Sequence, residues 1–384
     1  MTPPFIIEPQ CATFFGAGVI QHLPELAASL AQGRVFLVTD PGVVSAGVSG
    51  TVESILTRSG IEVRTFAEIH TNPDTDSLDA GGQAVRRYGA GAVVALGGGA
   101  VLDVAKGLAL MAVNEGLARV FDYSREPERD GLPLIAVPTT SGTGSETNAW
   151  GVIDDHQSSR KFYIGHRSVA PRVVLLDPEL TLGLPPAPTA SAGMDALTHA
   201  LESLSSVRRN PYADGLNLHV VRMVAQYLPR AVTDGHDLEA RSQLLLAANM
   251  AGRAFGTTGL GLAHALGHAL SARLGAPHGV ALAILLPHVL AFNLSACQAV
   301  YARLAGALDV DDPGMDQAAR AQACIEAVRR LAAQVGIPRS LGELGCTESQ
   351  LEVIAIDTLA DEVLSNTPRP PTQDDLITLL RATL

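Results

Sequence analysis

His264, His268 and His278 fall within fifteen residues of one another, in the stretch Gly259-Leu-Gly-Leu-Ala-His-Ala-Leu-Gly-His-Ala-Leu-Ser-Ala-Arg-Leu-Gly-Ala-Pro-His-Gly279, whose other residues are mostly Ala, Leu and Gly. A single imidazole among apolar neighbours is ordinarily a hydrogen-bonded core residue, so the clustering carries the signal. On a helix, His264 and His268 are four apart and share a face. The break at Gly275-Ala276-Pro277 lets a turn bring His278 back toward them. Upstream, Gly193-Met-Asp195-Ala-Leu-Thr-His199 sets a carboxylate and an imidazole four apart on another helix. One Asp and several His on two helices form a nitrogen and oxygen donor set suited to a divalent first-row metal. Neither pattern is H-E-x-x-H, which argues against metal hydrolysis. Spacing leaves open which imidazoles bind.

A second chemistry lies in two loops. Gly97-Gly98-Gly99 separates an apolar run from a helical one, where a bare backbone and a helix N-terminus favour an anion such as pyrophosphate. A tight strand-to-helix turn would need the same residues. The pattern is not G-x-G-x-x-G, and the acidic Asp40 precedes the glycines instead of following them, so the ordinary dinucleotide fingerprint is missing. Pro138-Thr-Thr-Ser-Gly-Thr-Gly-Ser-Glu146 is a polar loop whose hydroxyls and amides suit phosphate or ribose, or equally a capped turn. Two such loops at neighbouring strand ends favour a nucleotide. The expected cofactor-facing residues there are Gly97, Gly98, Gly99, Asp103, Thr139, Thr140, Thr143 and Ser145.

The elements that must hold these groups follow from patterning. Val35–Asp40, Ile61–Phe66, Ala92–Leu96 and Leu134–Val137 read as strands. Helical stretches follow near Gly50–Ser59 and Thr75–Tyr88, with a third carrying Asp103 and Lys106. That alternation predicts a doubly wound parallel sheet. Beyond Pro185-Pro-Ala-Pro188 the texture becomes helical: Ala190–Ser206, Tyr212–Leu228, Leu238–Gly256, Leu260–Leu274 and several more after Ala299. The predicted organisation is an α/β domain over residues 1–187, a parallel sheet with flanking helices, and an all-α domain over 188–384.

Composition narrows the class. With 47% hydrophobic, 17% charged and 4% aromatic residues, the chain suits a soluble globular enzyme. A net charge of −12 argues against nucleic-acid binding through phosphates. Cys11, Cys297, Cys324 and Cys346 are scattered without C-x-x-C, which suits a reducing cytoplasm. The N-terminus lacks a secretory signal, and the longest apolar run, Gly279–Leu286, ends at Pro287 and is too short to span a bilayer.

Together, Gly97–Lys106, Pro138–Glu146, Gly193–His199 and the Gly261–Gly279 histidine segment resemble the iron-containing (group III) alcohol dehydrogenases, in that family's order and spacing and over nearly the whole chain. Asn366-Thr-Pro-Arg369 resembles its closing Asn-Pro-Arg segment with one residue inserted. The resemblance implies an N-terminal dinucleotide-binding domain and a C-terminal helical, metal-binding one. It places metal ligation on Asp195, His199, His264 and His278, and gives His268 a place near the substrate, as a candidate proton carrier and not a ligand. It assigns Asp40 to the adenosine ribose and Asn72 and Lys161 to further cofactor contacts. The departures are small: Ala100 and Ala192 stand where the family favours hydroxyl residues.

The implied activity is hydride transfer between a small primary alcohol or diol and NAD, with Fe²⁺ as the metal and Zn²⁺ or another divalent ion as the alternative. The implied partners are an alcohol or aldehyde and a second copy of the chain, as a homodimer or larger homo-oligomer. The rival readings are a maleylacetate reductase, a zinc polyol dehydrogenase, a dehydroquinate-synthase-like lyase and a catalytically silent binding protein. Substrate size is expected to depend on Asn148, Trp150, Phe255 and the Gly256–Gly261 turn.

Overall fold

A strand that is apolar on both faces must be covered on both sides, and Ala92-Val-Val-Ala-Leu96 is such a run. The computed structural model describes residues 4–7, 11–70, 73–155 and 160–384. Its strands are β1 (Ala12–Phe15), β2 (Arg34–Val38), β3 (Glu62–Phe66), β4 (Ala92–Gly97), β5 (Leu134–Pro138), β6 (Trp150–Asp155), β7 (Arg160–Gly165) and β8 (Val173–Leu176). Six of them form one parallel sheet in the order β1-β8-β5-β4-β2-β3, with the fully buried β4 inside it. The predicted parallel sheet is therefore present. At the β3 edge, burial alternates and Glu62 and Arg64 are less covered than Phe66, a polar pattern that blunts an open edge.

The helices of this first unit are α1 (Leu23–Leu30), α2 (Pro41–Ser45), α3 (Val48–Arg58), α4 (Thr75–Tyr88) and α5 (Gly99–Met111). Leu23 and Ala27 of α1 and Val52 and Leu56 of α3 pack into one core with Val35, Leu37, Val94 and Leu96 of the strands. Alternate strand residues such as Phe36 point the other way, and Phe36 stacks on Phe66 at 6.1 Å. Burying each such side chain contributes on the order of 2 kcal/mol.

Three features of this unit escaped the sequence reading. β1 and β8 are short and pair with each other from opposite ends of the unit, Ala12 opposite Val173. β6 and β7 form an antiparallel hairpin whose polar residues, Asp154 opposite Lys161, disguise it as loop. Asp40 does not end a strand. β2 stops at Val38, and Asp40 caps α2.

The chain groups into two compact units, Pro9–Leu184 and Pro185–Leu384, the latter with residues 4–7. The second contains α6 (Pro186–Ser205), α7 (Pro211–Thr233), α8 (Leu238–Thr258), α9 (Leu262–Leu274), α10 (His278–Leu304), α11 (Gln317–Gln334), α12 (Leu351–Leu359) and α13 (Gln373–Arg381). The proline cluster opens α6, with Pro185 at the N-cap and Pro186 first in the helix, where proline's missing N–H costs nothing. The apolar run from Gly279 does not end at Pro287. α10 continues through it and is 27 residues long in all. By length and composition α10 could cross a membrane, but 61% of its most apolar window is buried within the protein. Cys297, Cys324 and Cys346 are buried as free thiols.

Candidate functional site

Helical periodicity sets Asp195, His199 and Glu202 of α6 on one face, at i, i+4 and i+7. α9 presents His264 to that face. Asp195, His199 and His264 are all buried, and one donor atom from each lies within 4.8 Å of the others. His199 Nε2 is 3.5 Å from Asp195 Oδ1, and His264 Nε2 is 3.7 Å from the same oxygen. The two imidazoles stack at 4.6 Å, with Phe255 against the other face of His199, also at 4.6 Å. His278 opens α10 at the margin of this group, its ring 5.5 Å from that of His264 and outside the three-residue cluster. Gly279 explains how α10 comes so close, because a Cβ there would lie 2.4 Å from the Ser191 carbonyl oxygen of α6.

Asp195 Oδ1 and His264 Nε2 are buried atoms that lack a hydrogen-bond partner. Burying them unsatisfied is costly, and two acceptors facing each other call for a cation between them. Burial opposes ionisation of Asp195, but His199, His264 and His278 hold its carboxyl well below the usual range. Burial likewise opposes charge on His264, and the Asp195 and Glu202 carboxylates outweigh it, raising the imidazole to about 9. A divalent ion between Asp195 Oδ1 and His264 Nε2 would meet both atoms at once. The residues fit such an ion.

His268 lies on the same helix but is not in the cluster. Its Nδ1 is 2.7 Å from Asp361 Oδ2, and its ring stacks on His278 at 5.4 Å. Burial opposes ionisation of Asp361, while the bond to His268 keeps its carboxyl low. Sequence reasoning missed both Asp361 and Glu202. Glu202 left a faint signal, lying three residues after His199 on the same face. Asp361 is 93 positions from His268 and left none. The C-terminal Asn366 braces the turn before α9. Its Nδ2 donates to the Leu260 carbonyl, and Gly259, at φ +69°, passes so close that a Cβ would lie 2.4 Å from that nitrogen.

In the first unit, Gly98 sits at the N-cap of α5 and offers no side chain to occupy the helix's first amides, which leaves them open to an anion. A Cβ on Gly99 would fall 2.5 Å from Thr143, and one on Gly98 3.2 Å from Thr140. Gly99 is thus needed for loop-to-loop packing as well. Thr139 donates its N–H to the Gly97 carbonyl at 3.0 Å. Asp103 and Ser145, expected to face the cofactor, hydrogen-bond each other, and Asp103 Oδ2 also accepts the Val152 N–H at 2.9 Å.

Lys106 is completely buried and donates to Ser145 O, Ser145 Oγ and Asn148 Oδ1 at 2.7 Å and to Trp150 O at 2.6 Å. Burial pulls its pKa down to about 8 against the pull of Asp103 and Glu146. Asp40 Oδ1 accepts the N–H groups of Gly42 at 2.8 Å and Val43 at 3.0 Å. Lys161 Nζ pairs with Asp154 at 2.6 Å. Asn72 lies outside the described residues.

Residues 10–178 match the family model described as iron-containing alcohol dehydrogenase, and residues 189–384 match the Fe-containing alcohol dehydrogenase family, C-terminal. The chain is 37% identical over 372 residues to a probable alcohol dehydrogenase, EutG, of Escherichia coli (strain K12), covering 96% of this chain and 92% of that one. It is 32% identical over 382 residues to the NAD-dependent methanol dehydrogenase of Bacillus methanolicus, covering 99% of each. The crystal structure of a 1,3-propanediol oxidoreductase superposes with a TM-score of 0.95 at 33% identity over the whole of both chains.

Proposed function

This chain belongs to the iron-containing alcohol dehydrogenase family, and from that premise we propose that it interconverts small primary alcohols or diols and their aldehydes with NAD, at a divalent metal held by Asp195, His199, His264 and His278. It is an oxidoreductase acting on CH–OH groups, and its cofactors are NAD and a divalent metal. One observation carries the ligand reading: Asp195 Oδ1 and His264 Nε2 are buried, face each other at 3.7 Å and lack hydrogen bonds. Fe²⁺ is the proposed ion. A nitrogen and oxygen set has no thiolate to select against it, although the general affinity order favours Zn²⁺.

Bound there, the metal supplies Lewis acidity toward the substrate oxygen and NAD supplies the hydride acceptor. The chain's own residues do the rest. Asp361 holds the Nδ1 proton of His268, which leaves Nε2 to receive the hydroxyl proton and pass it on. The α5 N-terminus and the Gly97–Gly99 backbone take the pyrophosphate, with Thr139, Thr140 and Thr143 beside them. Asp103, Ser145 and Lys106 keep those two loops in register. Lys161, held by Asp154, and Asn72 complete the proposed cofactor set. A homodimer or larger homo-oligomer is proposed from the family, and a cytoplasmic location suits the free thiols Cys297, Cys324 and Cys346.

The test is NADH formation across a panel of short alcohols and diols after anaerobic loading with Fe²⁺. Turnover that a chelator removes and Fe²⁺ restores is expected. A loaded protein inert toward every alcohol and aldehyde would leave a silent binding protein. Activity that rises with Zn²⁺ and falls with Fe²⁺ would move the reading to a zinc polyol dehydrogenase.

Asp40 is expected to set the choice between cofactors. Its Oδ1 is used in capping α2, and a ribose could take the other oxygen. A 2′-phosphate would bring about two negative charges to that carboxylate, so NAD should lead NADP by at least about tenfold in kcat/KM, roughly 1.4 kcal/mol. Asp40→Gly should erase most of that preference by improving NADP use. It is a mild test of the fold, since glycine at an N-cap costs only a few tenths of a kcal/mol. An unchanged cofactor ratio in the variant would remove Asp40 from the ribose site.

A further inference from the structure

Glu202 takes no part in the chemistry above, yet it is only 6% exposed and every bond it makes runs to the start of α9. Its Oε2 accepts the Gly261 N–H at 3.1 Å and meets His264 Nδ1 at 2.6 Å, while Oε1 accepts the Ala263 N–H. The approach is close: a Cβ on Gly261 would stand 3.3 Å from Glu202 Oε1. Three N–H donors thus converge on two carboxylate oxygens, and the third can be a donor only if His264 Nδ1 carries its proton. That tautomer leaves the His264 Nε2 lone pair pointing at Asp195.

We propose that Glu202 is the positioning residue of the metal centre: it fixes the ring plane and the tautomer of His264, and by capping α9 it sets that ligand in register with Asp195 and His199 on its own helix. The proposal rests on the reading that Asp195 and His264 bind a metal. The competing role is capping alone, and the two roles part at glutamine. In Glu202→Gln the amide oxygen replaces only one carboxylate oxygen: at the Oε1 place it keeps the Ala263 N–H, and the Gly261 bond is lost. The NH₂ arm donates to His264 Nδ1 and drives the proton to Nε2, the atom that must bind the ion.

The experiment measures Zn²⁺ and Fe²⁺ affinity against a chromophoric chelator, with metal-free melting temperatures, for wild type, Glu202→Gln, Glu202→Asp and His264→Ala. Glu202→Gln is expected to fold with a modest loss of metal-free stability from the missing Gly261 bond, and to bind either metal about 10–100-fold more weakly. Glu202→Asp keeps both acceptors on a shorter stem and should fall between, which preserves the test if the glutamine variant does not fold. Wild-type metal affinity in Glu202→Gln, or in a destabilised Glu202→Asp, while His264→Ala loses the metal, would reduce Glu202 to a helix cap and overturn the proposal. Wild-type affinity in His264→Ala would instead remove the metal assignment, and the proposal with it.

Discussion

His264→Ala is expected to empty the metal centre and to lower kcat/KM by about a thousandfold or more. The substitution takes one imidazole from a small ligand set and leaves the Asp195 and Glu202 carboxylates buried without it. A Lewis acid at the reacting oxygen supplies several kcal/mol, and about 4 kcal/mol corresponds to a thousandfold. Metal content per chain by elemental analysis reads the first half of the prediction and steady-state NADH formation the second. Folding is checked separately, since an uncompensated buried charge also costs stability. His278→Ala should behave alike. His268→Ala should keep the metal and lose part of its turnover, because its Nδ1 is committed to Asp361. If His268→Ala loses the metal and His278→Ala retains it, the proposed ligand set is wrong. The geometry makes this a real contest, as the two rings stack at 5.4 Å and His278 lies outside the tight cluster.

Lys106→Met is expected to destabilise the nucleotide unit by about 3–5 kcal/mol, the usual cost of removing one partner from a buried charged cluster. Methionine fills the apolar stem of the pocket but donates nothing. Ser145 O, Asn148 Oδ1 and Trp150 O would each lose a bond of 2.6–2.7 Å, and Asp103 would lose the cation 3.6 Å away. At roughly 2–4 °C per kcal/mol for a unit of this size, the melting temperature should drop by about 10 °C. NAD affinity should fall as well, because the lysine ties the Thr139–Ser145 loop to the helix that starts at Gly99. Calorimetry with NAD titration checks both. A variant within about 1 kcal/mol of wild type would show that the ammonium contributes little beyond its packing volume.

Where the physical cause was local and the residues apolar or strongly periodic, the chain was legible. Uninterrupted apolar runs marked β2, β4 and β5, and α4 falls on Thr75–Tyr88 because period, cap and terminal glycine all lie within those few residues. Four-residue spacing placed Asp195 and His199 on one helix face without any knowledge of what that face meets. Tertiary structure decided the rest. β1 and β8 are recognisable only as a pair, with Ala12 set against Val173. α10 runs through Pro287 because the packing of its buried side chains outweighs one missing hydrogen bond. Lys106, which the sequence placed only on a helix beside Asp103, is the buried pin of two loops. Glu202 and Asp361 gain their meaning from imidazoles 62 and 93 positions away. Periodicity tells which way a side chain points from its own helix or strand. What it meets there is set by how distant segments pack, and on that depend the tautomer of a histidine and the charge a buried site can hold.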